Sequence, residues 1–283
     1  MNPRNVAKRL LPPIAFEGRN FIQSLLEGNF GISGDYPSWN EAVAASTGYD
    51  TELILEKTKA ALLKVKNGEA IYERDSVLFD QIQYTWPVLA GLMWVAAQSR
   101  GQLNVLDFGG SLGSTYYQNR AFLRNLPEVQ WNIIEQPAHV NVGKECFEDD
   151  VLKFFPDIEQ CLSETKPNVI LLSSVLQYLE SPYEILNKLL DLSCDYVLID
   201  RTPFWDGSTD RLCVQQVPPS IHPASYPVWI FSEQNFIQSI QKRNFEVVSK
   251  FQSLDLLPAP VPTVWKGMVL VRKKSFLGSV SIT

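Results

Sequence analysis

Short apolar runs separated by helical stretches dominate the second half of this 283-residue chain. LNVLDF, VQWNIIE, NVILLS and YVLID lie between positions 103 and 200, with a weaker run, LKFF, among them. Continuous apolar runs are typical of parallel strands, because helices cover both faces of the sheet. FEVVSKF and TVWKGMVLVRK, near the end, resemble an antiparallel pair. The pattern predicts an α/β fold: a Rossmann-like, doubly wound, mostly parallel seven-stranded sheet with an antiparallel edge strand.

The first hundred residues predict a helical preface without strands. A loop-like segment reaches position 50 and contains a short helix that starts after Ser38. TELILEKTKAALLKVKNG predicts a helix ending at Gly68, and the segment from Asp75 to Gly101 predicts a second helical region bent at Pro87.

The chain therefore divides into a loop and helical cover at 1–100 and a sheet domain at 101–283. Within the sheet domain, residues 201–230 are rich in proline and have little periodicity. A long insertion at the carboxyl edge of a parallel sheet is well placed to form a substrate wall.

Composition narrows the chemistry. The net charge of -6 argues against binding nucleic acid through a basic surface. With two histidines, four cysteines and no CxxC or HExxH spacing, we expect no metal site, and we expect a cofactor to supply the reactivity. The longest apolar stretch, Trp86 to Ala97, is too short to span a bilayer. We expect a cytoplasmic protein without an integral membrane segment; the basic N-terminus allows peripheral membrane contact or a solvated terminus, and nothing indicates the oligomeric state.

The segment NVLDFGGSLGSTYYQ places a glycine-rich turn between a predicted strand and a predicted helix. A helix start presents unpaired N–H groups, and glycine lets the backbone approach a ligand closely. A dinucleotide site would need GxGxxG, but Ser111 and Ser114 occupy two of those glycine positions. GGSLG also matches the GxSxG of a serine hydrolase, with Ser111 as nucleophile and Asp200 or Asp206, then His222, as partners. Against the hydrolase, the residues before the turn are helical and contain no HGGG-like segment.

At this turn the chain resembles class I S-adenosylmethionine-dependent methyltransferases, whose first motif is a strand followed by D/E-x-G-x-G-x-G. VLDFGGSLG fits at Asp107, Gly109 and Gly113, and departs at Ser111. The resemblance implies S-adenosyl-L-methionine as the cofactor. It implies a turn that contacts this cofactor through Asp107, Phe108, Gly109, Gly110, Ser111 and Gly113.

The resemblance extends to the ends of the following strands. It implies ribose binding by Glu135, with Gln136 beside it, and an adenine contact from Phe155 or Asp157. After the fourth strand it implies contacts to the methionine moiety and substrate by Ser173, Ser174, Gln177 and Tyr178. Those hydroxyl residues are equally suited to capping the next helix. In the helical preface, Arg74 is a candidate clamp for the cofactor carboxylate, with a surface ion pair as the alternative.

The motifs GDYPSW, LDFGGSLG, SSVLQYL, IDRTP and YPVW occur here in that order. The set resembles a group of methyltransferases associated with bacterial surface-polysaccharide and secondary biosynthesis. This implies O-methylation of a small-molecule or saccharide intermediate; a non-catalytic cofactor-binding homologue is the alternative to an enzyme.

Several residues near the insertion are candidates for the acceptor side. The catalytic candidates are His222, Asp200 and Tyr178, and the substrate candidates are Arg201, Trp205, Tyr226 and Trp229. His222 suits a general base, or a loop histidine bonded to backbone, and Asp200 suits a base or an ion pair with Arg201. The two tryptophans suit stacking on a ring or packing in the core.

Overall fold

A computed structural model describes residues 30–48, 51–217 and 224–273. The helices are α1 (Trp39–Ala44), α2 (Thr51–Lys66), α3 (Trp86–Gln98), α4 (Ser114–Leu123), α5 (Pro137–Cys146), α6 (Ile158–Glu164), α7 (Pro182–Leu190) and α8 (Glu233–Lys242), with a 3-10 helix at Leu176–Tyr178. The strands are β1 (Gly31–Ser33), β2 (Tyr72–Arg74), β3 (Val77–Phe79), β4 (Gln102–Phe108), β5 (Glu128–Ile134), β6 (Leu152–Phe155), β7 (Val169–Ser173), β8 (Tyr196–Trp205), β9 (Arg211–Gln216), β10 (Ser225–Ser232), β11 (Phe245–Gln252) and β12 (Val264–Arg272).

The central sheet has the strand order β6-β5-β4-β7-β8-β12-β11. Strands β6, β5, β4, β7 and β8 are parallel, and only β12 runs against its neighbours. One apolar cluster packs α2 to α5 on one face, and a second packs α6, α7 and α8 on the other. The predicted doubly wound, Rossmann-like α/β fold is confirmed. The order reverses between β4 and β7, which places the ligand crevice at the carboxyl ends of those strands.

The sequence predicted an antiparallel strand at the edge of the sheet, and the structure differs from this prediction. β12 lies between β8 and β11, and β11 is the edge strand. The burial patterns give the reason. β12 carries a run of four buried residues, from Gly267 to Leu270, whereas most residues of β11 are exposed or half-buried. The more apolar strand therefore takes the position covered on both sides.

Three further strands extend the seven-stranded sheet to ten. β10 pairs with the last two residues of β8, β9 pairs with β10, and β1 pairs with β9. Much of the insertion at 201–230 is therefore regular β structure, including the end of β8. Strand β1, which pairs with β9, comes from the N-terminal cover, so the two parts of the chain share one sheet.

The expectation that the first hundred residues contain no strand is wrong, because β1, β2 and β3 all lie there. β2 and β3 form an antiparallel hairpin whose turn residues, Asp75 and Ser76, both have positive φ. Strands of three residues are too short to show a two-residue period. The predicted helical region from Asp75 is accordingly a strand followed by α3, and Pro87 begins that helix rather than bending it. The helix after Ser38 and the helix ending before Gly68 are confirmed.

A membrane-spanning helix is not found in the described ranges: none of their helices combines sufficient length with sufficient hydropathy.

Candidate functional site

The glycine turn lies at the carboxyl end of β4 and opens α4. Gly109 and Gly113 have φ of +74° and +103°, in the left-handed region that favours glycine. A Cβ on Gly110 would lie 2.5 Å from the Asp107 carboxyl group. Ser111 also has a positive φ of 53°, which a non-glycine residue adopts at some cost. Ser111 therefore adopts the left-handed backbone conformation that glycine would favour at this position.

Asp107, in the last part of β4, lies against Gly110 of the turn. Its side chain is 1% exposed, and its Oδ2 accepts a hydrogen bond from the Trp131 indole N–H at 2.8 Å. Burial raises the pKa of Asp107 to about 7, and the nearby charge of Glu135 adds to the effect. The carboxyl group thus packs against Gly110 and is shielded from solvent.

Asp107→Asn is expected to flatten the pH dependence of stability. The folded carboxyl keeps its proton up to about pH 7, whereas the unfolded carboxyl loses it near the ordinary value of 3.8. The wild-type free energy of unfolding therefore falls as pH rises between these values. Urea unfolding at pH 5 and pH 8 gives the difference in the free energy of unfolding between the two pH values. This difference should be about 2 kcal/mol smaller in the variant than in the wild type. Equal differences in the two proteins would contradict the assignment.

Glu135 follows β5 and joins the turn from the side. Its Oε1 accepts from the Ser111 backbone N–H at 3.2 Å, and its Oε2 accepts from the Gln136 N–H at 2.8 Å. The side chain is half-buried, so one part of the carboxylate is accessible, while Gln136 is exposed at the start of α5. The structure therefore brings Glu135 and the turn together, as the sequence predicted. The ribose role itself stays a prediction.

The two adenine candidates lie at the end of β6. Phe155 is 4% exposed and belongs to the apolar core. Asp157 is exposed and caps α6, because its side chain accepts from the Gln160 backbone N–H at 2.7 Å. Capping accounts for Asp157 locally, and an adenine contact for either residue stays a prediction.

The segment after β7 lies directly against the glycine turn, because a Cβ on Gly109 would collide with Val175. Ser173 is paired with Asp200 of β8, and Ser174, with a φ of 56°, donates its N–H to the Asp200 carbonyl. Ser174 Oγ accepts from the Gln177 side chain at 3.2 Å. These polar groups therefore meet where β4, β7 and β8 end.

Gln177 is fully buried, and its orientation is determined by its partners. Nε2 donates to the Arg201 carbonyl at 3.0 Å, and a carbonyl can only accept. The amide oxygen, Oε1, consequently has no hydrogen-bond partner among the described residues. Buried polar atoms without partners are uncommon, and they occur where a ligand or water completes the hydrogen bond.

The Tyr178 hydroxyl belongs to a chain of hydrogen bonds that continues through Gln215 and Tyr226, both in the insertion at 201–230. It donates to Gln215 Oε1 at 3.1 Å, and Gln215 donates to the Tyr226 hydroxyl at 3.4 Å. Burial raises the pKa of Tyr178 to about 12, so the phenol stays protonated at neutral pH. The protonated phenol of Tyr178 is therefore unsuited to act as a base at neutral pH.

Asp200 and Arg201 do not pair with each other. Asp200 is 3% exposed, its Oδ1 accepts from Ser253 Oγ at 2.7 Å, and burial raises its pKa. Arg201 has a positive φ of 52° and forms ion pairs with Asp75 at 2.5 Å and Asp255 at 3.0 Å. The guanidinium thereby links the hairpin of the N-terminal cover to the loop after β11.

The two tryptophans predicted to contact substrate both donate their indole N–H to a backbone carbonyl. The Trp205 indole donates to the Thr209 carbonyl at 2.9 Å, and the Trp229 indole donates to the Leu179 carbonyl at 3.0 Å. The Tyr226 ring packs edge-on against Tyr178 at 5.2 Å. Both tryptophans are half-buried, so each retains an accessible part. His222 lies outside the described residues.

The N-terminal cover supplies a residue that the sequence did not indicate. Glu73 is 1% exposed, and its Oε2 accepts from the hydroxyl of Ser114, the first residue of α4, at 2.5 Å. Arg74 lies with its guanidinium 5.6 Å from the centre of the Phe79 ring. Glu73 therefore contacts the start of α4, and the Arg74 contact to the cofactor carboxylate stays a prediction. Recognising the hairpin in YERDSVLF would have given this result.

No group of three or more His, Cys, Asp or Glu side chains suited to a metal ion occurs in the described part of the chain.

Comparisons with known proteins give structural neighbours only, since no family model and no curated protein sequence matches the chain. Solved structures similar to this chain include S-adenosylmethionine-dependent methyltransferases. The N-terminal domain of EvdMO1, in the presence of SAH and D-fucose, is 12% identical, covers 80% of this chain and 98% of its own, and has a TM-score of 0.45. Magnesium protoporphyrin IX methyltransferase from Synechocystis PCC 6803, with bound SAM, is 12% identical. It covers 80% of this chain and 99% of its own, and has a TM-score of 0.43.

A third neighbour is the 1,6-didemethyltoxoflavin-N1-methyltransferase of Burkholderia thailandensis. It is 13% identical, covers 86% of this chain and 94% of its own, and has a TM-score of 0.40. The fold assignment rests on the strand order of the chain itself.

Proposed function

We propose that this protein binds S-adenosyl-L-methionine at the glycine turn and transfers its methyl group to a small molecule. The observation that carries the proposal is the contact between the Glu135 carboxylate and the Ser111 N–H at 3.2 Å. It places a strand-end carboxylate directly beside a glycine turn that opens a helix, at the reversal point of the sheet. A carboxylate there suits the paired hydroxyls of an adenosyl ribose.

The same contact disfavours a pyrophosphate. A dinucleotide places its phosphates on the N–H groups at the start of the helix. Here the Ser111 N–H is already bonded to Glu135, and Asp107 lies directly under Gly110. The Glu135 carboxylate opposes a second anion at this position. A ligand without phosphate fits these residues better, and Gln177 Oε1 offers it a buried hydrogen-bond acceptor.

When bound, S-adenosylmethionine supplies an electrophilic methyl group on a sulfonium, so the chain must chiefly orient the acceptor and exclude water. We assign the acceptor side to the surface formed by β9, β10 and the 3-10 helix. Tyr178 orients the acceptor by accepting a hydrogen bond on its hydroxyl oxygen, because its own O–H is donated to Gln215. Asp200 is the candidate base for an oxygen nucleophile, because its raised pKa favours holding a proton.

We propose O-methylation of a small-molecule or saccharide intermediate, which the linked hydroxyl and amide groups of Tyr178, Gln215 and Tyr226 support. Amides and hydroxyls can donate to and accept from sugar hydroxyls. Trp229 offers a half-buried ring beside this chain. His222 remains a candidate base within this proposal. We place the activity in the cytoplasm and retain the division into a cover at 1–100 and a cofactor domain at 101–283.

Calorimetry with S-adenosylmethionine and S-adenosylhomocysteine tests the proposal. We expect both to bind the wild-type protein, and we expect transfer of a radiolabelled methyl group to a saccharide or extract fraction. No binding at millimolar ligand would contradict the proposed cofactor. Binding without any transfer would favour the non-catalytic homologue.

The serine hydrolase remains the alternative enzyme, and Ser111→Ala separates the two. A hydrolase should lose all ester hydrolysis in this variant. A methyltransferase should retain cofactor binding, because the contact to Glu135 uses the Ser111 backbone rather than its hydroxyl.

A further inference from the structure

The β2–β3 hairpin of the N-terminal cover contacts two sides of the ligand crevice. On one side, Glu73 Oε2 accepts from the hydroxyl of Ser114, the residue that directly follows the glycine turn. On the other side, Asp75 forms an ion pair with Arg201 of β8 at 2.5 Å. The hairpin therefore connects the start of α4 to β8.

Strand β7 lies between the two ends of this connection. The order in the sheet is β4-β7-β8, and α4 starts after the glycine turn at the carboxyl end of β4. Asp200, which directly precedes Arg201, is paired with Ser173, the last residue of β7. The hairpin turn, Asp75 and Ser76, thus spans the crevice across the carboxyl end of β7.

The Arg201 end of the connection adjoins the proposed acceptor surface. Burial is the main cause of the raised pKa of Tyr178, and the charges of Arg201 and Asp75 also act on this hydroxyl. The Arg201 carbonyl accepts from the side chain of Gln177, the residue before Tyr178. The hairpin therefore reaches from the proposed cofactor site to the proposed acceptor surface.

The hairpin is anchored on the side of the crevice that α2 and α4 form. The Tyr72 hydroxyl accepts from the Gln118 side chain of α4 at 3.1 Å. The Ser76 hydroxyl lies 2.7 Å from the Thr58 hydroxyl of α2. The ion pair of Asp75 fastens this anchored hairpin to the opposite side, at β8.

The two carboxylates bound to Arg201 differ in exposure. The Asp255 side chain is 16% exposed, and the Asp75 side chain is 60% exposed. When Asp75 withdraws, its carboxylate regains water, and Asp255 still neutralises the guanidinium. Opening therefore leaves no buried cation without a partner, which would be costly. An exposed ion pair contributes little net free energy, so this contact can break readily.

We propose that the hairpin turn is a lid over the crevice, and that the Asp75–Arg201 ion pair is the contact that holds it closed. Ligands enter and leave while this pair is broken, and the closed hairpin excludes water from the carboxyl ends of β4 and β7. The inference rests on the proposed function, because it assumes that S-adenosylmethionine and its demethylated product bind at the glycine turn.

Stopped-flow fluorescence with S-adenosylhomocysteine tests the lid in Asp75→Asn. This ligand carries one ammonium and one carboxylate, so added salt acts mainly on the protein. The association and dissociation rate constants should both rise about two- to fivefold, the factor expected for one exposed ion pair, and the dissociation constant should not change. Raising NaCl from about 0.05 M to about 0.5 M should increase both rate constants of the wild type and neither of the variant.

Asp80→Asn is the matched control, because Asp80 is an exposed acid directly after β3, and it should change neither rate constant. Asparagine adopts the positive φ of position 75 readily, so Asp75→Asn should fold, and urea unfolding checks this. Asp75→Gly also removes the carboxylate at this φ and should accelerate exchange in the same way.

Two results would overturn the inference and leave the proposed function intact. The first is a pair of rate constants that Asp75→Asn leaves unchanged, or that Asp80→Asn raises equally. The second is faster dissociation alone with weaker binding, which would assign Asp75 to a direct contact with the ligand. A wild-type protein that does not bind S-adenosylhomocysteine would overturn the proposed function and the inference together.

Discussion

Glu135→Ala should weaken binding of S-adenosylmethionine by about 30- to 100-fold, the loss expected for one or two hydrogen bonds to a charged group. The carboxylate lies between the Ser111 and Gln136 N–H groups, so it is held in place before a ligand arrives. A group held in this way loses little entropy on binding. Calorimetry should therefore show the change in the dissociation constant without a large change in the stability of the apo protein.

Glu128→Ala is the matched control for this experiment. Glu128 is the first residue of β5 and is exposed at the opposite end of the strand, where it accepts from Gln102. It should leave the affinity unchanged. Because the proposed contact is to ribose, Glu135→Ala should weaken binding of 5′-methylthioadenosine, which lacks the amino-acid end, as strongly as binding of S-adenosylmethionine. A loss confined to ligands with an amino-acid end would contradict the ribose assignment.

Gly109→Ala should lower the free energy of unfolding by about 3 kcal/mol and abolish ligand binding. Two penalties combine at this position. The φ of +74° disfavours any residue with a Cβ, and that Cβ would collide with Val175, whose own Cβ lies 2.9 Å away. Val175 lies two residues after the end of β7 and directly before the 3-10 helix. Urea unfolding measures the loss.

Gly68→Ala separates the two penalties, because Gly68 has a φ of +78° and nothing within 4 Å of its Cβ position. We expect it to cost about 1 kcal/mol, from the backbone alone. A double-mutant cycle with Val175→Ala should then show that the Gly109→Ala penalty becomes about 1–2 kcal/mol smaller when Val175 is shortened. If Gly109→Ala cost no more than Gly68→Ala, close packing of the turn against β7 would be excluded.

The elements predicted well are those whose pattern is local and long. β4, its glycine turn and α4 follow one another within about twenty residues, and each has its own signal of apolar run, glycines or helical period. The helix-capping role of Ser38 was predictable for the same reason, since the contact to Glu41 spans three residues. Strand-end positions such as Glu135 and Asp200 then follow from the alternation of strands and helices.

The elements predicted poorly depend on distant partners. β1 consists of three residues, and it is a strand because β9, nearly two hundred residues later, supplies its hydrogen bonds. The β2–β3 hairpin is equally short, and it brings Glu73, which the sequence did not indicate, into contact with Ser114 at the start of α4. The position of β12 inside the sheet was likewise decided by its burial between β8 and β11.

By itself, the sequence determined the class of fold and the location of the crevice, because apolar periodicity and glycine conformation act over a few neighbouring residues. Only the tertiary structure decided which side chains meet there. The partners of Glu73, Gln177 and Arg201 come from segments separated by up to 126 positions. Burial and unpaired charge arise from those meetings, so no local pattern in the chain carries them.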